Sequence, residues 1–223
     1  MNEQEIQAII RQVAARVCAQ QPLPSAAPAP DPSQPSGFLV EASARHVHLT
    51  KAAVEALFGK GATLTCKRPL SQPGEFLSHQ RVKLVTPKGE IANVAVLGPE
   101  RPAVQAEISL TDARALGLEV PVNLSGNLQG AADVCMVGTQ GVYYAPQSVI
   151  AARTHIHMTP DDARRFGVAD GQVVRVAVQS ARPVTFDHVL VRVSGSFELA
   201  MHIDFDEANA CALAADARGI IIK

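Results

Sequence analysis

The chain of 223 residues carries 20 Lys and Arg against 21 Asp and Glu, a net charge of −1 that leaves no basic surplus to make nucleic acid its main partner. Hydrophobic residues make up 47% and charged residues 18%, the balance of a folded protein with one large or two small cores. No apolar run is long enough to span a membrane, and Met1-Asn2-Glu3-Gln4-Glu5 lacks the basic region of a secretory signal, so no membrane partner is expected.

Aromatic residues are only 4% and Trp is absent, so the core is expected to be Val, Leu, Ile and Ala. Cys18, Cys66, Cys135 and Cys211 form no Cys-x-x-Cys pair and read as free thiols of a reducing cytoplasm.

Residues 1–20 read as an amphipathic helix. Ile6, Ile9, Ile10, Val13, Ala14 and Val17 follow the i, i+3, i+4, i+7 spacing of one apolar stripe. Residues 21–36 are rich in Pro, Ala and Ser, a composition that forms no core and reads as a semi-rigid linker. A short striped helix on such a tether reads as a docking peptide; the alternative is that it folds back on its own domain. Its apolar face also promotes self-association, so a homo-oligomer is expected.

Phe38 to Leu49 reads as a strand, Thr50 to Phe58 as a helix stopped by Gly59, and Thr63 to Cys66 as β. Arg81 to Val85 and Ile91 to Leu97 flank a turn at Pro87-Lys88-Gly89-Glu90. Val104 to Leu110 is a strand, Thr111 to Leu116 a helix closed by Gly117, and Val120 to Leu124 a strand. The second half repeats the plan. Arg153 to Met158 is a strand, Thr159 to Phe166 a helix, and Val173 to Val178, Val189 to Val193 and Phe197 to Ile203 are strands, with Asp206 opening a last helix. Many short strands and few short helices predict a mainly β fold of two small β-barrels related by a pseudo-twofold axis.

One frame recurs through this plan. His46-Val47-His48-Leu49-Thr50 returns as His155-Ile156-His157-Met158-Thr159, and its outline returns at Glu107-Ile108-Ser109-Leu110-Thr111 and His202-Ile203-Asp204-Phe205-Asp206. With seven His in the chain, chance predicts about 0.2 His-x-His pairs, and here two sit in matching frames. Residues i and i+2 of a strand share a face, so each pair aims two imidazoles at one spot. The first position is His46, Glu107, His155 or His202, each a possible zinc ligand. The fifth is Thr50, Thr111, Thr159 or Asp206, each a good helix N-cap. Duplication of a purely structural His pair is the alternative.

Each half thus supplies a His pair and one further donor: His46, His48 and Glu107, then His155, His157 and His202. Three protein ligands with an open position is the pattern of catalytic zinc. Arg101, between Pro99 and Pro102, suits a bidentate hold on an oxyanion such as phosphate, or an ordinary ion pair with Glu100 or another acid. Lys67, Arg68, Arg81 and Lys83 form a basic cluster that is either a nucleotide-phosphate site or a solvated face.

These residues carry a resemblance. Ala44-Arg45-His46-Val47-His48-Leu49, Gly98-Pro99-Glu100-Arg101, Gln105-Ala106-Glu107-Ile108-Ser109, Thr154-His155-Ile156-His157-Met158 and Met201-His202-Ile203-Asp204 with Glu207-Ala208-Asn209 resemble the PduL-type phosphotransacylases, the phosphate propanoyltransferases of bacterial microcompartments. The likeness spans about 37–223, and the helix with its linker resembles the encapsulation peptides of enzymes inside such shells.

The resemblance implies two adjacent β-barrel domains, 37–44 plus 153–223 and 45–152, with two zinc ions per chain between them. One zinc falls to His46, His48 and Glu107, the other to His155, His157 and His202. It implies reversible acyl transfer between coenzyme A and phosphate, with Arg101 facing phosphate and Ser43, Arg68, Leu97 and Asn209 near coenzyme A. It also implies a place in the microcompartment lumen, with residues 1–20 meeting shell or lumen proteins. The expected mechanism is direct attack of Arg101-held phosphate on an acyl-CoA thioester; a zinc-dependent hydrolase such as a thioesterase uses the same ligands, and a non-enzymatic zinc-binding module is a further alternative.

The tail has its own test. A chain starting near Ser36 is expected to be fully active, more soluble and of lower oligomeric order. Residues 1–20 fused to a fluorescent protein are expected to enter a cognate microcompartment, and Ile9→Glu with Val13→Glu to abolish entry. A truncation that lowers melting temperature and activity together would mean that the helix caps its own domain.

Overall fold

A computed structural model describes residues 37–222. The expected helix at 1–20 and linker at 21–36 lie outside the described residues. The strands are β1 (Phe38–Ala42), β2 (His46–His48), β3 (Cys66–Pro69), β4 (Phe76–Val85), β5 (Glu90–Gly98), β6 (Gln105–Ile108) and β7 (Val122–Asn123). They continue as β8 (Ala132–Val137), β9 (Val142–Ala152), β10 (His155–Met158), β11 (Val173–Gln179), β12 (Val184–Val193), β13 (Ala200–Ile203) and β14 (Arg218–Ile222). The helices are α1 (Lys51–Phe58), α2 (Leu110–Leu116), α3 (Pro160–Phe166) and α4 (Phe205–Ala210).

The mainly β, two-barrel expectation holds. One barrel runs β1-β13-β10-β12-β11-β14 and closes where β14 meets β1. The other runs β4-β5-β2-β6-β9-β8 and closes where β8 meets β4, with β3 and β7 attached outside the ring. The two rings match strand for strand. β2 lies parallel to β5 and antiparallel to β6, as β10 lies to β12 and β13. β9 pairs parallel with β6 as β1 pairs parallel with β13. The first strand of each half therefore completes the barrel of the other half. The chain crosses from barrel to barrel at 43–45 and again at 153–154, and each crossing delivers a His pair.

That crossing explains one difference from the expected elements. Phe38 to Leu49 is not a single strand: it breaks at 43–45, because β1 and β2 belong to different barrels. β8, β9 and β14 are not among the expected strands. β9 contains Pro146, which argues against a paired strand, and it survives by a register shift with Gln147 at φ +45°.

Helix starts follow the side chain at the third frame position. Thr50 and Thr159 cap α1 and α3 as expected, accepting from the backbone N–H of Ala53 and Asp162. Thr111 and Asp206 do not cap. Ser109 and Asp204, two residues earlier, accept from the N–H of Asp112 and Glu207. Where that position is a short acceptor the helix starts at once; where it is His48 or His157 the ring serves the site and the cap falls to the Thr beyond. Asp206 instead receives the Thr111 N–H at 2.9 Å, a bond between the barrels.

Each barrel encloses its own aliphatic core, one around Val47, Leu84, Val96 and Met136, the other around Ile156, Val176, Val191 and Met201. Val47 and Ile156, the middle residues of the His pairs, are fully buried in these cores. Strand alternation then sends both rings of each pair out of the barrel wall, toward the partner barrel.

Candidate active site between the barrels

Strand register places the third donor of each set. His46 stands directly across from Glu107, and His155 directly across from His202. Such cross-strand partners have Cβ atoms about 5 Å apart, close enough for side chains to converge. In the first set the Glu107 Oε1 lies 3.7 Å from His46 Nε2 and 3.9 Å from His48 Nε2. Among the described residues this is the one His/Cys/Asp/Glu cluster whose donor atoms all fall within 4.8 Å of one another. The second set is more open, with ring centroids of His155, His157 and His202 at 4.8, 4.9 and 5.3 Å.

The rings are held in matching ways. His46 Nδ1–H donates to the Ala44 carbonyl at 2.8 Å, and His155 Nδ1–H to the Arg153 carbonyl at 2.7 Å. Each bond leaves the Nε2 lone pair of that ring facing the site. The Nδ1 atoms of His48 and His157 are buried with no hydrogen-bond partner. A buried polar atom without a partner is costly, and a cation is one partner that satisfies an imidazole lone pair.

The electrostatics ask for the same thing. Burial, then the charges of His46 and Arg101, push His48 down to about 2. Burial, then His155 and His202, push His157 down to about 2, and burial, then His155, pushes His202 down to about 3. These imidazoles are neutral at physiological pH, the form that binds metal. Burial pushes the Glu107 carboxyl up, but His46, His48 and the Ser125 hydroxyl outweigh it and hold it well below the ordinary carboxylate range. Burial pulls His46 down, but the charge and hydrogen bond of Glu107 and the Ala44 carbonyl outweigh it and raise its pKa. Two imidazoles with a carboxylate, and three imidazoles, are both donor sets that suit a borderline divalent ion such as zinc once His46 gives up its proton.

Arg101 is joined to this cluster by a short relay. Its Nη2 is 2.6 Å from Glu75 Oε1, and its Nη1–H donates to Ser125 Oγ at 3.1 Å. Ser125 Oγ also accepts from Gln105 Nε2 at 3.0 Å, and the same Gln105 amide donates to Glu107 Oε1 at 2.5 Å. The Arg101 N–H donates to the Leu49 carbonyl at 2.8 Å, which fixes its loop beside β2. Its acidic partner is therefore Glu75 and not Glu100, whose Oε1 accepts from the Leu64 N–H.

Both donor sets, Arg101, Glu75 and Ser125 open into one cavity of about 940 Å³ lined by both barrels. The structure brings Ser43, His46, His48, Arg68, Leu97, Arg101, Glu107, His155, His157 and His202 to its wall. Asn209 is not on that wall; it is exposed on α4. The basic cluster divides. Arg68 and Arg81 line the cavity, whereas Lys83 pairs with exposed Glu90 at 3.0 Å.

Sequence reasoning missed Gln72, Glu75, Gln105, Ser125, Arg192 and Phe197, all on the cavity wall or bonded to it. Gln105 had a signal, because it lies two residues before Glu107 on the same strand face. Arg192 is the cross-strand partner of His157, and Phe197 stacks on that ring with centroids 4.0 Å apart. The others sit on loops, where no periodicity marks them.

Two barrels with exchanged first strands thus bring two His-rich clusters, one of them a possible metal-binding triad, and a cationic fork to one cavity. The phosphate propanoyltransferase family model matches residues 39–214. The chain is 50% identical over 186 residues to the phosphate propanoyltransferase of Leptotrichia buccalis, covering 83% of this chain and 88% of that protein. It is 47% identical over 190 residues to that of Enterococcus faecalis, covering 85% and 90%. Against that of Alkaliphilus metalliredigens it is 43% identical over 223 residues, the full length of both. The chain belongs to the phosphate propanoyltransferase family, a family of transferase enzymes.

The His cluster has a pH signature in the metal-free protein. His48, His157 and His202 have folded pKa values below their unfolded value, and so does Glu107. The unfolded chain takes up these protons first as pH falls, so each contribution to stability is lost toward acid. His46 is raised and works the other way, one histidine against four, since His155 is lowered as well, while Glu107 makes itself felt only at more acid pH. The melting temperature of chelator-treated protein is expected to fall steadily from about pH 7.5 to about pH 5. A flat or rising profile would show that the cluster is not buried and neutral.

Proposed function

We propose that this protein is a zinc-dependent phosphate acyltransferase. It interconverts an acyl-CoA, propanoyl-CoA above all, and phosphate with the acyl phosphate and coenzyme A, in the lumen of a bacterial microcompartment. The observation that carries the reading is the convergence of both donor sets and the Arg101 fork on one cavity. Family membership supports the reaction, since the relatives are named for transfer of a propanoyl group to phosphate.

His46, His48 and Glu107 would hold one zinc, and His155, His157 and His202 a second. Bound zinc supplies a Lewis acid for the thioester oxygen and a soft partner for a leaving thiolate. The chain's own residues do the rest. Arg101 orients phosphate with its planar fork, and Ser125 and Gln105 tie that fork to Glu107. Ser43, Arg68 and Leu97 would meet coenzyme A at the cavity wall, and Asn209, exposed on α4, would meet it outside that wall. A phosphate oxygen adds to the acyl carbon as the C–S bond breaks, and the proton of hydrogen phosphate ends on the coenzyme A thiol. Among the described residues the hydrogen bonds of the site's His rings go to Ala44, Gln72, Arg153 and Arg192 and to no Ser or Cys, which favours direct transfer over an acyl-enzyme.

Three measurements test this. The purified protein is expected to carry close to two zinc per chain, and His48→Ala and His157→Ala each to lose metal and nearly all activity; normal zinc content in both variants would sink the ligand assignment. Arg101→Ala is expected to cost about a hundredfold in turnover, roughly 3 kcal/mol, with zinc content kept, and Arg101→Lys to recover only part. Coenzyme A release is expected to require phosphate; appreciable release without it would point to a thioesterase.

A further inference from the structure

We propose that Glu75 makes the anion site selective for an oxyanion that still carries a proton, and so for hydrogen phosphate over sulfate. The inference rests on the reading of Arg101 as the phosphate-holding residue and adds the group that chooses the anion.

The Arg101 fork is shared in the structure. Glu75 Oε1 lies 2.6 Å from Nη2, while Ser125 Oγ takes the bond from Nη1 at 3.1 Å. Both acidic and basic side chains are about one-third exposed, 32% each, at the cavity wall. Any anion that docks on this fork arrives within contact of the Glu75 carboxylate.

The backbone that carries Glu75 is held in place beside the fork. It ends the turn Leu70–Glu75, where the Leu70 N–H donates to the Glu75 carbonyl at 3.0 Å and the Glu75 N–H to the Gln72 carbonyl at 3.2 Å. Gln72 in turn is clamped to the other barrel. Its amide donates to the Glu198 carbonyl at 3.0 Å, and its side-chain oxygen accepts the Glu198 N–H at 3.2 Å. Ser71, beside it, donates to Glu41 at 2.5 Å. The turn is therefore tied across the seam, and β4 begins at the next residue.

A carboxylate anchored through its backbone beside a cationic fork treats two tetrahedral anions differently. Phosphate at neutral pH keeps a hydroxyl, which donates to the carboxylate while other oxygens take the guanidinium. Sulfate has no proton to give, so its oxygen meets the carboxylate as two like charges without a hydrogen bond. Rejection by an unpaired like charge is a standard source of specificity, and sites built to bond a substrate hydroxyl discriminate strongly against analogues lacking it. No proton need leave phosphate for this; the same hydroxyl is oriented toward an acceptor while another oxygen attacks.

The test uses the zinc-loaded full-length enzyme, with sulfate as the competitor of phosphate. In the wild type the sulfate inhibition constant is expected to exceed the phosphate KM by at least about tenfold. Glu75→Gln is expected to bring the two constants close to parity, because an amide donates to sulfate and carries no charge. Glu75→Asp, which keeps the carboxylate, is expected to keep the preference. Calorimetric titration of each anion into the same variants reads the ratio even where turnover is lost. Equal affinities in the wild type, or an unchanged ratio in Glu75→Gln, would overturn the proposal. Arg101→Ala separates this from the reading beneath it. If Arg101→Ala weakens both anions while Glu75→Gln leaves the ratio alone, only the selectivity role falls. If Arg101→Ala leaves both affinities unchanged, the fork is not the anion site.

Discussion

A strand has two faces, and the middle residue of a His-x-His triplet decides which one the rings take. Val47 and Ile156 are completely buried in the two barrel cores. Removing either from water is favourable by roughly 2 kcal/mol, and a one-residue slip would exchange that burial for two buried rings on the wrong side. The apolar cores thereby hold the imidazoles at the seam. Cross-strand register then adds the third donor, opposite His46 in one barrel and opposite His155 in the other. Everything at the site depends on this commitment of the barrel walls.

The exchange of first strands turns two walls into one site. Each half lends its opening strand to the other barrel, so the segment before each His pair must bridge the gap. The Ala44 and Arg153 carbonyls lie on those bridges, and they are the acceptors that orient His46 and His155. The topology thus sets ring orientation as well as ring position. It also makes separation of the barrels costly, because each would lose a strand from a closed ring. Bonds from Asp206 to Thr111 and from Gln72 to Glu198 reinforce the seam.

Charge is arranged in this seam with little slack. Glu107 is 7% exposed and sits among rings that are mostly neutral, so its charge needs a cation or the proton on His46. Gln105 and Ser125 connect that carboxylate to Arg101, whose own charge is balanced by Glu75. Two ionic centres are therefore linked by neutral hydrogen-bond donors and acceptors. Such a relay fixes geometry without burying another net charge.

The legible part of the sequence was whatever repeats or alternates. The two His pairs, the third donors at Glu107 and His202, the mainly β class and the internal duplication follow from period-2 patterning and from matching frames, which are local properties of the chain. Arg101 stood out through its flanking prolines, but its partner could not be read, because Glu75 reaches it from a turn 26 residues away. Ser125, Gln72 and Phe197 belong to loops and turns whose side chains obey no period. The caps at Ser109 and Asp204 were displaced by two residues, since local sequence offered two acceptors and packing selected one. Pro146 hid β9, because only a bulge in a closed barrel lets such a strand stay paired. By itself the sequence determined which residues share a strand face and which donors lie together along it. Tertiary structure alone decided that the two sets face one cavity, because the strand exchange that joins them is a long-range pairing with no local signature.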